Sequence, residues 1–212
     1  MTLPDHAMTG SDAGTAYDGT PVRAGTSSDV TRTVAPTLHE DARTVLSAWT
    51  RAVDEPEQSA LRDEFLAFLG SHPDAMWRGC VDGHLTGSAL VLSADRREVL
   101  LTLHPKFGLW LQTGGHCEPG DATLRDAALR EALEESGVEG LVLSDEPARL
   151  DRHRVGCHGG SWHLDVQYVA TAPRGAVARI SDESLDLRWW PVDALPERTD
   201  DALRRLVTSA LR

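Results

Sequence analysis

Three glutamates near the end of one predicted helix have the chemistry to bind a divalent cation. They are Glu131, Glu134 and Glu135 in the segment GGHCEPGDATLRDAALREALEESGV, residues 114–138, and we call them the acidic triad. Side chains three and four positions apart are neighbours on a helix, where each like-charge pair costs about 0.2–0.5 kcal/mol. The negative end of the helix dipole also disfavours anions there. Carboxylates crowded together in this way are suitable ligands for Mg²⁺ or Mn²⁺.

The helix that carries the acidic triad is predicted from Thr123 to Ser136. Thr123 with Asp126 three residues later resembles a capping box, and Asp121 is the alternative N-cap. Gly137 is a natural left-handed stop, so the acids lie in the last turns of the helix.

The remaining positions of this helix predict how it packs. Leu129, Ala132 and Leu133 fall away from the acids and are expected to anchor the helix to a sheet. Ala127 and Ala128 are expected to flank the acidic side, where their small side chains would leave room for a bulky ligand.

A glycine-rich loop precedes the helix. Gly114, Gly115 and Gly120 allow a tight turn whose backbone can approach a ligand closely, and His116 is a candidate substrate contact. Arg130 comes directly before the first acid and could hold the carboxylates or the loop through a bidentate contact.

This segment resembles the signature of the Nudix hydrolases, G-x5-E-x7-R-E-U-x-E-E-x-G-U, in which U is a bulky apolar residue. Gly115 matches the first glycine, and Arg130, the acidic triad, Gly137 and Val138 match the second half in order. There are three departures: Asp121 replaces a glutamate, the spacer before Arg130 has one extra residue, and Ala132 is smaller than usual. The resemblance covers about residues 80–212.

The resemblance implies a fold and a reaction. It implies an α/β (α+β) domain, an α/β/α sandwich with a mixed β-sheet, and hydrolysis of the diphosphate linkage in a nucleoside diphosphate derivative. Divalent Mg²⁺ or Mn²⁺ ions would neutralise the pyrophosphate and activate the attacking water. The partner would be a small nucleotide-type molecule, and the substrate stays open among nucleoside triphosphates, ADP-ribose, dinucleotides and nucleotide sugars.

The resemblance also assigns roles to individual residues. The acidic triad would bind the metal, Arg130 would orient the glutamates, and Glu131 and Glu134 would be catalytic. Asp121 is a further candidate as a metal ligand or an orienting group. Gly114, Gly115, His116 and Gly120 would shape the substrate loop. Glu183 is the candidate catalytic base, because it lies in a loop before a late strand.

Two alternatives use the same fold. One is a non-catalytic sensor of a nucleotide derivative, although such a protein has no need for a repulsive acidic cluster. The other is an isomerase of isoprenoid diphosphates, which should carry a catalytic cysteine and glutamate in a deep apolar pocket. Cys117 alone does not establish that interpretation.

The elements that must position these residues follow from hydrophobic periodicity. Two amphipathic helices are predicted at 38–52 and 56–70. They are followed by a hairpin formed by HLTGSALVLS and EVLLTLH, and then by strands near 141–144, 149–156, 162–171 and 185–192 and a final helix at 201–212. We therefore divide the chain into a disordered tail (1–37), a helical extension packed on the main domain (38–78) and the Nudix domain (79–212).

One predicted strand carries polar residues that have two interpretations. His163 and Asp165 alternate onto one face of the strand at 162–171, where Trp162 and His163 could line a pocket. A buried hydrogen-bonded pair explains the same alternation, so both interpretations stay open.

Composition excludes several other functions. The net charge of −12 over 212 residues argues against sequence-independent nucleic-acid binding. No apolar run is long enough to span a membrane, and the N-terminus has no signal-peptide pattern, so a cytoplasmic location is expected. Cys80, Cys117 and Cys157 fit a reducing compartment, and together with His158 they do not have the spacing of a zinc site. A homodimer is compatible with all of these expectations.

Overall fold

The computed structural model describes residues 37–50, 55–182 and 184–212. The four described helices are α1 (Leu38–Ala48), α2 (Pro56–Ser71), α3 (Leu124–Ser136) and α4 (Asp201–Ala210). The eight described strands are β1 (Gly83–Leu92), β2 (Glu98–Leu103), β3 (Trp110–Leu111), β4 (Thr113–His116), β5 (Val142–Leu143), β6 (Arg149–Val155), β7 (Ser161–Thr171) and β8 (Leu187–Pro191). The predicted disordered tail lies outside the described residues, apart from Thr37.

The strands form one mixed sheet built around β1. This strand pairs in parallel with β7 and antiparallel with β2 and β4, while β6 pairs with β7 and β8 with β2. All ten residues of β1 are buried, as expected for a central strand covered on both faces. A large core lies between the sheet and α1, α2 and α3, and a smaller core lies between the sheet and α4. The predicted α+β architecture, with its mixed sheet and N-terminal helical pair, is confirmed.

Helix α3 lies close to β1 because both elements have small residues where they meet. A side chain added at Gly87 would lie 3.0 Å from the backbone nitrogen of Ala128. Ala127 and Ala128 are completely buried, whereas Leu133 is exposed. The sequence-based orientation of the helix was therefore partly wrong: the two alanines anchor it to the sheet and leave no room for a ligand, and Leu133 is not an anchor.

The ends of α3 agree with the prediction. The Thr123 side chain accepts a hydrogen bond from the Asp126 amide, and Gly137 adopts the left-handed conformation at the C-terminus, with φ of 59°. The backbone amide of Leu124 also donates to the Asp41 carboxylate of α1, at 2.8 Å. The N-terminal helical pair thus contributes to holding the helix that carries the acidic triad.

The helical pair also contacts the sheet at β6. The Gln58 side chain of α2 accepts a hydrogen bond from the Leu150 amide and donates one to the Leu150 carbonyl, at 2.7 and 3.1 Å. Because β6 pairs with β7 on its other side, Gln58 occupies hydrogen-bonding positions that another strand would use. Phe65 of α2 is fully buried in the core that it shares with the sheet.

Element ends differ from the predictions by a few residues. Helix α1 ends at Ala48 instead of residue 52, and 51–54 are outside the described residues. Strands β5 and β8 are shorter than predicted. In the described part of the chain, no helix has both the length and the apolar character needed to cross a membrane.

Candidate active site

A cavity of about 470 Å³ opens between α3, the glycine loop and one face of the sheet. The acidic triad, Gly114, Gly115, His116 and Arg130 all line it. Further polar lining comes from the sheet and its loops, through Arg78, Thr86, Ser88, Thr102, His104, Gln112, Glu118, His153, His163, Asp165 and Ser184. The structure therefore brings most of the predicted site residues together in one cavity.

The glycines bring the loop backbone against the acidic triad. A side chain added at Gly115 would lie 2.5 Å from both oxygens of the Glu131 carboxylate. The backbone amide of Gly114 donates a hydrogen bond to Glu135, at 3.3 Å. Glu131 and Glu135 are each only 9% exposed, while the Glu134 side chain is 60% exposed. Two of the three carboxylates are thus fixed against the loop, and the third faces solvent at the cavity.

Arg130 connects the loop to the acidic triad. Its guanidinium donates to both oxygens of Asp121, at 3.0 and 3.1 Å, and to the His116 carbonyl, at 2.8 Å. It also donates to Glu131 and Glu134, at 2.9 and 3.0 Å. The hydrogen bond to Asp121 is the main cause that raises the Arg130 pKa, so the residue stays positively charged.

Asp121 has a structural environment that differs from that of the triad. Its buried carboxylate accepts both hydrogen bonds from Arg130 and a third from the Glu118 amide, at 2.7 Å. Asp121 lies in the loop before α3, which begins at Leu124, and its contact with Arg130 forms despite the extra residue in the spacer. These hydrogen bonds fit the orienting role that the sequence analysis left open for Asp121.

Among the described residues, Gly120 is the predicted substrate-loop residue that is not at the cavity. Gly120 is exposed and does not line it, and a side chain added there would meet nothing within 4 Å. Glu183 lies outside the described residues, so its suggested role as a base stays a prediction. Its neighbour Ser184 does line the cavity.

A row of polar residues on the sheet was only partly found from the sequence. Asp165 of β7 is buried and accepts hydrogen bonds from Thr86, Ser88 and Gln167, at 3.0, 2.7 and 3.0 Å. Burial raises the Asp165 pKa, and the hydrogen bond from Ser88 opposes that shift. Thr86 and Ser88 could have been found from the same two-residue alternation that indicated His163 and Asp165.

Three histidines beside this row form a second group, which we call the histidine cluster: His84, His116 and His163. Their ring centroids are 4.8–5.0 Å apart. Burial lowers the pKa of His116 to about 4 and of His163 to about 3, with the neighbouring rings adding to the effect. His84 was missed by the sequence reasoning, because nothing near it in the sequence indicates chemistry.

Cys117 is buried in the core on the other side of the loop. It packs in the large core with α3 and does not line the cavity, and burial raises its thiol pKa to about 12. A protonated core thiol is a poor nucleophile. The structure therefore gives no support to a cysteine-dependent isomerase.

Comparison with known proteins identifies the class and the family. The fold and the site define a class of protein in which a glycine-rich loop and an acidic helix lie together beside a mixed β-sheet. A family model described as the NUDIX domain matches residues 83–210, which is more than half of the chain, and the chain belongs to the Nudix hydrolase family. The helices α1 and α2 lie outside the matched residues.

Solved structures agree with this assignment. A Nudix-family hydrolase from Clostridium perfringens is 25% identical, with a TM-score of 0.52, over 60% of this chain and 95% of that chain. An Ap4A hydrolase from C. elegans is 16% identical, with a TM-score of 0.51, over 60% of this chain and 94% of that chain. Because its sequence identity is only 16%, the likeness to the C. elegans protein concerns the fold alone.

Replacing Arg130 by lysine is expected to lower the free energy of unfolding by about 1.5–3 kcal/mol, because one ammonium cannot reproduce charged hydrogen bonds to several acceptors. Urea unfolding measures this change. Arg62→Lys is the matched control: Arg62 has the same side-chain exposure of 21%, but its partner Asp63 is exposed. An exposed pair contributes about 0.2–1 kcal/mol, so equal losses in the two variants would contradict the assigned role of Arg130.

Proposed function

We propose that the protein is a metal-dependent pyrophosphohydrolase that cleaves the diphosphate linkage of a nucleoside diphosphate derivative. The observation that carries this proposal is the charge of the cavity. Its described lining includes five acidic residues and two arginines, with Arg130 already bound to carboxylates. A diphosphate would be repelled from such a cavity unless divalent cations were bound between the anions.

The residues fit a hard divalent cation. Their donors are carboxylate oxygens, which Mg²⁺ and Mn²⁺ prefer, and Gly115 lets the loop backbone pass directly over the Glu131 carboxylate. Glu131, Glu134 and Glu135 would hold the metal. When bound, the metal would neutralise phosphate charge and lower the pKa of a coordinated water.

The other residues have positioning roles in this proposal. Arg130 fixes two of the three carboxylates through hydrogen bonds, and Asp121 fixes Arg130. The amide of Gly114 holds Glu135 in place. Pre-ordered ligands of this kind reduce the free energy that must be spent on organising a metal site. Arg78, which also lines the cavity, is the candidate cation for direct contact with a substrate phosphate.

The division of the chain is part of the proposal. Residues 79–212 would form the catalytic domain, and residues 38–78 would form a helical extension that shares its core. The extension contacts α3 through the Asp41 hydrogen bond and the shared core, so we infer that the extension supports the position of the acidic triad.

The experiment that tests the proposed function is a substrate panel. The purified chain would be incubated with nucleoside triphosphates, ADP-ribose, dinucleotides and nucleotide sugars, with Mg²⁺, with Mn²⁺ or with a chelator. We expect phosphate-containing products from at least one class, with either metal and not with the chelator. No turnover across the panel, or turnover that is unaffected by the chelator, would contradict the proposal.

A further inference from the structure

We propose that His84, His116 and His163 form a second metal site, which takes Zn²⁺ or a similar nitrogen-preferring divalent ion. This site is chemically distinct from the carboxylate site, because imidazole nitrogens suit zinc, cobalt and nickel, whereas carboxylates suit magnesium and manganese. The inference does not rest on the proposed hydrolase activity, since it concerns metal binding alone.

The sheet brings the three side chains together. His84 of β1 lies directly beside His163 of β7 in the parallel pair. His116 of β4 pairs with Thr86, which is two residues from His84 on the same strand and therefore on the same face. Ligands supplied by three paired strands are held more rigidly than ligands supplied by loops.

The geometry of the rings fits chelation better than stacking. The candidate ligand nitrogens all lie within 4.8 Å of one another, while the ring planes are inclined at 39°, 61° and 89°. A tetrahedral zinc site with bonds of about 2.0–2.1 Å has nitrogens roughly 3.4 Å apart, so side-chain shifts on the order of 1 Å would complete it.

The ring nitrogens also need a partner. His84 is completely buried, and neither of its ring nitrogens makes a hydrogen bond within the described residues, although the Cys80 carbonyl is near enough to affect its pKa. The Nε2 atoms of His116 and His163 are likewise buried without a hydrogen bond in this part of the chain. Buried polar atoms without partners are costly and rare, and one metal ion would satisfy three of them.

The site would have an open coordination position on the cavity side. His116 and His163 line the cavity, whereas His84 lies behind them in the sheet. Three protein ligands and one open position are typical of zinc sites that bind a water or a substrate oxygen. A bound ion would also place positive charge in a cavity where acidic lining residues outnumber the arginines.

Cobalt titration of the full-length protein tests the inference. After dialysis against a chelator, the protein would be titrated with Co²⁺ in excess Mg²⁺, and visible absorption would report tetrahedral coordination. We expect one Co²⁺ per chain, displaced by Zn²⁺ and not by Mg²⁺. Loss of a ligand in His163→Ala or His116→Ala should weaken Co²⁺ affinity by more than about 100-fold. Replacing a residue that only hydrogen-bonds to a metal ligand already lowers metal affinity by about 10–100-fold.

Two control variants separate this site from its surroundings. His153→Ala removes a neighbouring imidazole that contacts His163 but is hydrogen-bonded to Asp151, and Glu134→Gln removes a carboxylate of the acidic triad. Both should keep the cobalt spectrum. Circular dichroism would establish that each variant is folded, and His163→Gln, which keeps most of the side-chain volume, replaces His163→Ala if that variant unfolds.

Any one of three results would overturn the inference. One is the absence of a tetrahedral cobalt spectrum in the parent protein. Another is a spectrum that persists in folded His163 and His116 variants. The third is a spectrum lost in Glu134→Gln and kept in the histidine variants, which would assign the ion to the acidic triad.

Discussion

Replacing Glu134 by glutamine is expected to lower kcat by at least about 100-fold, comparable to the loss of a group that stabilises transition-state charge. The substitution keeps the size of the side chain and removes the charge that would bind the metal. The Glu134 side chain is 60% exposed, so the free energy of unfolding should change little. Initial rates at saturating substrate and a thermal melt would measure the two effects separately.

Glu139→Gln is the matched control for this prediction. Glu139 is an exposed glutamate just beyond the end of α3, and it does not line the cavity. The Glu139→Gln enzyme should retain the activity of the parent. A Glu134→Gln enzyme as active as the parent would mean that this carboxylate is not a metal ligand, whatever the substrate.

The second large effect is expected for Gly115→Ala. The added methyl group would lie 2.5 Å from the Glu131 carboxylate, so either this carboxylate or the loop must move. Displacement of a catalytic group by about 1 Å can lower the rate 100-fold, and we expect a loss of that size. Activity assays with increasing Mg²⁺ would also show a higher metal requirement if Glu131 is displaced.

Gly120→Ala is the control for this prediction because it lies in the same loop. A methyl group at residue 120 meets nothing within 4 Å, and Gly120 does not have a positive φ. Its activity should therefore match that of the parent. Equal losses in the two variants would indicate that the loop needs glycine for its flexibility, and that the close approach to Glu131 is unimportant.

Local signals explain why α3 could be predicted so closely. Thr123 caps the start of the helix and Gly137 ends it, and each does so through residues within one helical turn. The signals for both helix ends are therefore local in the sequence. A bidentate contact of Arg130 with the loop or the acids could likewise be expected from the sequence, although its pairing with Asp121 required the structure.

The orientation of α3 and the histidine cluster could not be predicted in the same way. Burial of Ala128 depends on Gly87, a residue far away in the sequence whose missing side chain admits the helix backbone. The cluster depends on the register between β1, β4 and β7. Register is a tertiary property, and a shift of one residue would send His84 to the opposite face of the sheet.

The contact between Gln58 and the backbone of Leu150 has a consequence for assembly. An unpaired strand at the edge of a sheet is a template for pairing with another chain. Here a side-chain amide from α2 imitates the donor and acceptor of a neighbouring strand, which blocks intermolecular β-sheet extension at this point. Two copies of the protein would therefore not associate by extending the sheet at Leu150, and removal of α2 would leave this part of β6 open to aggregation.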